Sequence, residues 1–287
     1  MDKSTKNSFR PMTAPTFSLA ALAAEPIFHL GQFTVTNSLL NAWLVVLFFI
    51  AIAVIASRGT ALVPQGIHNF FEAVVEFLLH EVDKVTQDRK KSKMFFPLVA
   101  TIFLYILANN WLGLLPGTGT IGFFHGTELV PLLRPATADL NLTLALAVFS
   151  LVIVQAAGIQ ATGVGNYLSK FVNVRGIFQA FRKGPMAVGV AIIEFFVGLL
   201  EIVSEFAKVA SLSLRLFGNV FAGEILLGVM MSLVSFLLPV PFMFLEVLVG
   251  AIQATVFSML VLVFLVVATS HHGHDEANHA THGAENS

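Results

Sequence analysis

Seven ionisable side chains lie within the last two long apolar stretches of the sequence. They are two basic residues and five carboxylic acids: Lys208, Arg215, Glu194, Glu201, Glu205, Glu224 and Glu246. A charge at the centre of a membrane-spanning helix costs about 2.5–3.5 kcal/mol. Such groups generally mark an ion or proton path, and structural ion pairs between helices are the alternative.

The spacing of these residues arranges them on a helix. Four of them follow one another at intervals of seven residues: Glu194, Glu201, Lys208 and Arg215. Seven residues turn an α-helix through about 700°, so the four side chains form one slowly drifting stripe. Three more polar residues lie four positions from this stripe and extend it: Glu205, Ser211 and Asn219.

A second polar group follows Arg215. Glu224 lies nine residues further on, about 900° of helical rotation, so it faces roughly the opposite way on a straight helix. Glu246 and Gln253 are seven residues apart and give the last helix a polar seam of its own. The spacing therefore predicts two polar groups, one on each side of Arg215.

Arginine and carboxylic acids have different uses in such a place. An arginine keeps its proton in proteins, so Arg215 suits a fixed positive barrier and not a proton relay. Carboxylic acids can relay protons, because burial disfavours their charged form. The two stretches together carry a formal charge of −3. We therefore expect Glu224 or Glu246 to be protonated part of the time.

The composition identifies the environment of these residues. Of the 287 residues, 56% are hydrophobic and only 11% are charged, against about 25% in soluble domains. The absence of cysteine excludes disulfides and cysteine zinc sites. A net charge of −1 gives no indication of nucleic-acid binding. The bilayer is the solvent that such a chain requires.

The hydropathy pattern predicts an all-α integral membrane protein with five transmembrane segments. Runs of about 20 apolar residues suffice to span the hydrocarbon, and the predicted spans are Leu39–Ser57, Met94–Leu115, Leu140–Thr162, Met186–Leu237 and Pro241–Thr269. The fourth is too long for a perpendicular span, so the last two should form a long tilted hairpin. Ile67–Val85 has apolar residues at helical spacing opposite acidic ones, which predicts an amphipathic helix on the membrane surface.

The basic residues predict the orientation. Six lie between Arg58 and Lys93 and four between Gly163 and Pro185, whereas the loop Pro116–Ala138 holds only Arg134. The positive-inside rule puts the two basic loops in the cytoplasm. We therefore predict an extracytoplasmic N-terminal segment (1–37), a membrane domain (38–269) and a cytoplasmic His-rich tail (270–287). The spacing of the tail histidines permits metal binding, but its polar composition favours a disordered tail, and we predict no metal site.

Four segments resemble one known family. The run from Ser211 to Glu224, SLSLRLFGNVFAGE, closely resembles the signature of subunit a of F-type ATP synthases of the bacterial type. The segment Gly250–Ala254, GAIQA, is similar to the second signature of that family. Two further segments also resemble it, Asn110–Pro116 and Pro135–Asn141. The resemblance covers the chain from about Thr36 to Ala268.

The resemblance implies a stator subunit of the Fo sector that translocates protons to and from a rotating c-ring and couples their flow to ATP synthesis. Arg215 would face the essential carboxylate of the ring and separate two half-channels. The outer half-channel would contain Glu224, Glu246, Gln253, Asn219, Asn110, Asp139 and Asn141. The cytoplasmic one would contain Glu201, Glu205, Lys208 and Ser211. Glu246 departs from relatives that carry histidine or a small residue there.

The resemblance also implies the surroundings of the chain. Its partners would be the c-ring, the peripheral stalk subunit b and the rest of the synthase, in a bacterial inner membrane. No cofactor is implied. The sequence contains no phosphate-binding loop, so we do not expect the chain itself to bind or hydrolyse ATP. The alternatives are a secondary transporter, against which the lack of a convincing internal repeat counts, and a structural membrane scaffold.

Overall fold

The computed structural model describes residues 26–30, 33–57, 67–115, 122–125, 128–131, 134–165, 167, 185–233 and 239–270. Helices dominate these ranges. They are α1 (Asn37–Ser57), α2 (Ile67–Thr86), α3 (Arg89–Leu112), α4 (Leu140–Thr162), α5 (Pro185–Leu233) and α6 (Pro239–Thr269). A short 3-10 turn, Ala136–Ala138, precedes α4. The predicted helical architecture is therefore confirmed.

Four of the helices are long and apolar enough to cross a membrane, which makes this a multi-pass membrane protein. They are α1 over Asn37–Ile55, α3, α4 and α6. Helix α5, which the sequence predicted as the fourth of five spans, has 49 residues. At 1.5 Å per residue it is about 74 Å long, more than twice the hydrocarbon thickness of about 30 Å. The five-span arrangement stays a prediction.

Helix α3 does not have the predicted bounds. The apolar run begins at Met94, but the helix begins at Arg89, where the Asp88 side chain accepts a hydrogen bond from the backbone N–H of Lys90 at 2.9 Å. It ends at Leu112, three residues before the predicted end. Gly113 follows, and a Cβ there would lie 2.1 Å from the Pro135 ring. Capping and close packing set these ends, whereas hydropathy records only where apolar residues begin and stop.

The last two helices also differ slightly from their predicted bounds. Helix α5 ends at Leu233 in the described part of the chain, and α6 begins at Pro239, two residues before the predicted Pro241. The predicted end of the fourth span, Leu237, lies outside the described residues. The predicted third span agrees with α4 at both ends.

Two short β-hairpins add to the helical architecture. Strands β1 (Pro26–Leu30) and β2 (Phe33–Thr36) pair antiparallel directly before α1. Strands β3 (Gly122–His125) and β4 (Glu128–Pro131) pair antiparallel between α3 and α4. The hydropathy pattern does not predict these hairpins, because a window of about 20 residues does not resolve strands of four or five residues.

Helix α2 is amphipathic and packs on the helical core. Its Leu78 and Val82 side chains are buried in the core formed with α3 and α6. Its opposite face exposes Glu72, Glu76 and Phe77. The buried Leu78 and Val82 belong to the predicted apolar face of Ile67–Val85, but Phe70 and Val75 of that face are exposed. The amphipathic helix on the membrane surface therefore stays a prediction.

The core lies where α3, α4, α5 and α6 meet. Its fully enclosed side chains include Ile106 from α3, Leu216 from α5, and Phe257 and Leu262 from α6. Large apolar side chains also cover the outside of these helices, Phe206 and Phe244 among them. An apolar exterior around an apolar core suits helices surrounded by lipid or by other membrane subunits.

Asp139 joins the N-termini of two helices. It caps α4, because its Oδ1 accepts the backbone N–H of Asn141 at 3.0 Å. Its Oδ2 accepts the Ser38 hydroxyl of α1 at 3.0 Å. Both side chains are buried. One carboxylate thus satisfies an N-terminal donor of α4 and holds α1 against the 3-10 turn.

We expect Asp139→Ala to lower the free energy of unfolding by about 1–3 kcal/mol, because it removes a helix cap and the charged acceptor of the buried Ser38 hydroxyl, which keeps only its hydrogen bond with the Thr36 hydroxyl. Thermal unfolding of the detergent-solubilised chain measures this. Asp139→Asn is the matched control, since its amide oxygen can still accept the Asn141 N–H. Its free energy of unfolding should fall by less than that of Asp139→Ala. Equal unfolding midpoints for Asp139→Ala and the parent would contradict this role.

Candidate functional site

The Arg215 side chain lies on the exposed side of α5. Its Nη2 donates to the Ser211 hydroxyl, one turn earlier, at 3.3 Å. Within the described ranges it forms no ion pair with a carboxylate of this chain. Its neighbour Leu216 is fully buried, so α5 packs by one face and presents the guanidinium on another. The arginine is therefore available to a group outside this chain.

Asn219 and Gln253 connect α5 to α6 one turn beyond Arg215. The Nδ2 of Asn219 donates to the Oε1 of Gln253 at 2.8 Å. Gln253 is buried, and its Nε2 has no acceptor among the described residues. An unpaired buried amide is costly unless water reaches it. The Gln253 amide lines a cavity, which gives a water molecule room to accept its hydrogen bond.

The cavity has a volume of about 200 Å³ and lies between α3, α5, α6 and the two residues Arg134 and Pro135 that precede the 3-10 turn. The three helices and this segment contribute the polar side chains that line it: Asn110, Arg134, Asn219, Glu224, Glu246 and Gln253. This volume holds several water molecules, each of which takes up about 30 Å³ in the liquid. Five of the residues predicted for the outer half-channel thus share one polar chamber.

Arg134 is the residue of this chamber that sequence reasoning missed. Its Nη2 and Nε lie 3.0 and 3.3 Å from the Oε2 of Glu224. The Arg134 side chain is 5% exposed and that of Glu224 is 29% exposed. In the sequence, Arg134 stands out only as the lone basic residue of its loop. The excess of carboxylates in the last two helices was a signal that a further cation was required.

Glu246 packs against the backbone of α5 at a glycine. A Cβ on Gly223 would lie 2.3 Å from the carboxyl atoms of Glu246, closer than any real contact. Only glycine therefore leaves room for this carboxyl group where it lies. Residues next to Glu246 also fix α6 to α3, since the Trp111 indole donates to the Val247 carbonyl at 3.1 Å.

Asn110 is held on the α3 side of the chamber. Its Nδ2 donates to the Gly250 carbonyl of α6 at 3.3 Å, and its Oδ1 accepts the Thr137 hydroxyl at 2.7 Å. A Cβ on Gly250 would lie 3.1 Å from the Cβ of Asn110. The close approach of the two helices therefore positions an uncharged polar group in the chamber wall.

A separate polar cluster surrounds Glu205, towards the N-terminal end of α5. Glu205 accepts from the Lys208 ammonium at 2.7 Å and from the Gln155 amide of α4 at 2.9 Å. The Tyr167 hydroxyl donates to the Oε1 of Gln155. Lys208 also lies 5.1 Å from the centre of the Phe264 ring. Gln155 and Tyr167 carry no recognisable spacing signal, and only the packing of α4 on α5 reveals them.

Among the other predicted site residues, the charge of Glu201 acts on Tyr167 of the cluster around Glu205, whereas Asp139, Asn141 and Ser211 lie outside both clusters. Asp139 forms the α4 cap, and Asn141 is exposed on the first turn of α4, so neither lines the cavity. Ser211 accompanies Arg215, and Glu201 is half-buried on α5. Their predicted roles stay predictions. The described ranges contain no group of three metal-ligating side chains, and the His-rich tail lies outside them.

Comparison with known proteins gives a consistent result. The family described as ATP synthase A chain matches residues 39–266. The chain is 32% identical over 248 residues to ATP synthase subunit a of Moorella thermoacetica, covering 86% of this chain and 96% of the relative. It is 33% identical over 259 residues to ATP synthase subunit a of Gloeobacter violaceus, covering 90% and 94%. The Syntrophobacter fumaroxidans subunit a is 32% identical over 254 residues, covering 88% and 92%.

The titration of Tyr167 tests the polar cluster around Glu205. Burial, followed by the charges of Glu205 and Glu201, raises the pKa of Tyr167 above its usual 10.0. The folded chain therefore keeps this proton at a pH where the unfolded chain releases it. The resulting stabilisation is complete below pH 10 and is lost as the pH rises through the folded-state pKa.

We expect Glu205→Gln to lower the pKa of Tyr167 without restoring its usual value, because burial remains. The chain has two tyrosines, so a Tyr105→Phe background makes phenolate absorbance specific for Tyr167. Glu76→Gln, on the exposed face of α2, is the control and should leave the titration unchanged. A titration midpoint that Glu205→Gln does not move would contradict the cluster.

Proposed function

Because the chain belongs to the ATP synthase A chain family, we propose that it is the stationary proton-channel subunit of an F-type ATP synthase. In this proposal the chain provides two half-channels and passes protons to and from a rotating ring of c subunits. The family is a component of the membrane sector and not a catalytic subunit. Its homologues are named as parts of an ATP synthase, so the chain belongs to such a complex.

The observation that carries the proposal is the position of Arg215 between two polar groups on one helix. Glu205 and Lys208 lie two to three turns before it, with Gln155 beside them. Glu224 lies between two and three turns after it, in the wall of the cavity. Arg215 itself is exposed on α5. A fixed cation at this point would separate the two proposed half-channels electrostatically, because it repels protons and attracts a partner carboxylate.

The proposed cycle follows from this arrangement. A proton enters the outer chamber, reaches one of its carboxylates and passes to a carboxylate of the ring. The ring carries it nearly full circle through the lipid. The approach of Arg215 then favours the ionised ring carboxylate, and the proton leaves through the group around Glu205. Each charge that crosses supplies about 2.3 kcal/mol per 100 mV of membrane potential.

The surroundings complete the proposal. The c-ring is the partner that faces Arg215, and the peripheral stalk subunit b holds the chain against rotation. The membrane is a bacterial inner membrane, with the N-terminus outside and the C-terminus in the cytoplasm. The basic residues of the loops support this orientation. Apolar side chains on the outer faces of α5 and α6 support contact with lipid and with other membrane helices.

We expect Arg215→Ala to abolish ATP-driven proton pumping and ATP synthesis, because no fixed charge then separates the two half-channels. Acidification of inverted membrane vesicles, followed by a fluorescent pH indicator, measures pumping. Leu248→Ala, an exposed apolar truncation on α6, is the control and should pump normally. Normal pumping by an assembled Arg215→Ala complex would disprove the proposal.

We expect Gly223→Ala to reduce pumping by roughly 100-fold, because the added methyl group must displace the Glu246 carboxyl by an ångström or more. Gly228→Ala on the same helix is the matched control, since nothing lies within 4 Å of its Cβ position. Co-purification of the c-ring confirms assembly of both variants. Equal pumping rates for the two variants would show that the position of Glu246 is unimportant.

A further inference from the structure

We propose that Glu205, anchored to α4 by Gln155, holds the Lys208 ammonium away from the exposed side of α5, so that Arg215 is the only cation of α5 that a carboxylate of the ring meets. This inference rests on the proposed proton-channel function and specifies what Glu205 does in it. Glu205 is then a positioning residue, which acts on proton transfer through the side chain of Lys208.

Helix α5 carries two basic residues, and its geometry places them on the same side. Lys208 and Arg215 are seven residues apart, which corresponds to about 700° of rotation and about 10.5 Å along the axis. Their Cβ atoms therefore point in nearly the same direction. The lysine ammonium stands on a flexible four-carbon stem, so it can reach either flank of that side. A free Lys208 would present a second cation close to Arg215.

The structure directs the Lys208 ammonium away from Arg215. Its Nζ lies 2.7 Å from the Oε1 of Glu205, three residues earlier on α5, and 5.1 Å from the centre of the Phe264 ring of α6. The Lys208 side chain is 29% exposed and that of Glu205 is 13% exposed. Lys208 also lines a narrow crevice with residues of α4 and α6. The ion pair and the aromatic face thus hold the ammonium between the helices.

Glu205 is itself fixed from α4. The Nε2 of Gln155 donates to the Oε2 of Glu205 at 2.9 Å, and the Oε1 of Gln155 accepts the Tyr167 hydroxyl. This second hydrogen bond decides which end of the amide faces Glu205, because a side-chain amide has one donor end and one acceptor end. The Tyr167 ring lies against α4 at Gly158, where a Cβ would come within 2.6 Å of it. Helix α4 therefore keeps the carboxylate where it reaches Lys208.

A second free cation would interfere with the proposed task of Arg215. In the proposed cycle the ring carboxylate is ionised near Arg215 and takes up a proton before it moves into the lipid. A free ammonium nearby would favour the ionised form of that carboxylate after it had left the arginine. The ring would then be held against the stator, and proton flow would slow. The pairing of Lys208 with Glu205 prevents this, because the charge of the ammonium is already compensated.

Removing the lysine charge distinguishes this role of Glu205 from that of a proton relay. Glu205→Gln leaves the Lys208 ammonium without its counter-charge, so proton flow should fall. The addition of Lys208→Met removes the ammonium and should restore much of the flow. The addition of Lys208→Arg keeps a cation at this position, so that double variant should stay slow. If Glu205 were a relay, its loss would be equally severe with and without Lys208→Met.

The experiment measures passive proton flow through assembled synthase in inverted vesicles after the catalytic head is stripped off. Glu205→Gln should lose at least about tenfold of the flow, and Glu205→Gln/Lys208→Met should exceed it by at least about fivefold. Gly223→Ala supplies the control background, in which Lys208→Met should restore nothing, because Gly223 contacts Glu246 and not Lys208. Co-purification of the c-ring with every variant establishes assembly.

Four results would each overturn the inference and leave the channel function standing. They are unchanged flow in Glu205→Gln, no recovery on adding Lys208→Met, equal recovery on adding Lys208→Arg, and recovery of Gly223→Ala by Lys208→Met. Normal pumping by Arg215→Ala would instead remove the proposed function itself.

Discussion

A buried charge must be paired, and the rest of this structure depends on that constraint. Lys208 pairs with Glu205 and Arg134 pairs with Glu224. In the described part of the chain these two pairs leave Arg215 and Glu246 without an ion-pair partner. One is a cation that keeps its proton and the other is an acid that can give its proton up.

Close helix packing gives these side chains their positions. Gly223 admits the Glu246 carboxyl group, and Gly250 brings α6 near Asn110 of α3. Helices in lipid gain little from hydrophobic burial against one another, so small residues and interhelical hydrogen bonds hold them together. Asn110 and Trp111 each donate to a backbone carbonyl of α6. The wall of the chamber is therefore also a hydrogen-bonded contact between α3 and α6.

Local sequence rules predicted much of this arrangement. Hydropathy located the apolar helices, and the interval of seven residues placed Lys208 and Arg215 on one stripe. Arg134 escaped prediction because its side chain reaches a cavity between α3, α5 and α6, and this position depends on tertiary packing. Tyr167 and Gln155 escaped for the same reason. The β-hairpins and the start of α3 at Arg89 depend on particular hydrogen bonds. A hydropathy value averaged over a window of residues contains no information about these bonds.

Helix α5 continues without interruption from Glu205 to Glu224. Its backbone hydrogen bonds set the distance between the inner and outer polar groups at about 28 Å along the axis. This distance is quantised. Adding or removing one residue changes it by only 1.5 Å but rotates everything beyond that point by about 100°. The helix therefore fixes both the distance between the two polar groups and their relative orientation, so its length cannot change by one residue without turning one group away from the other.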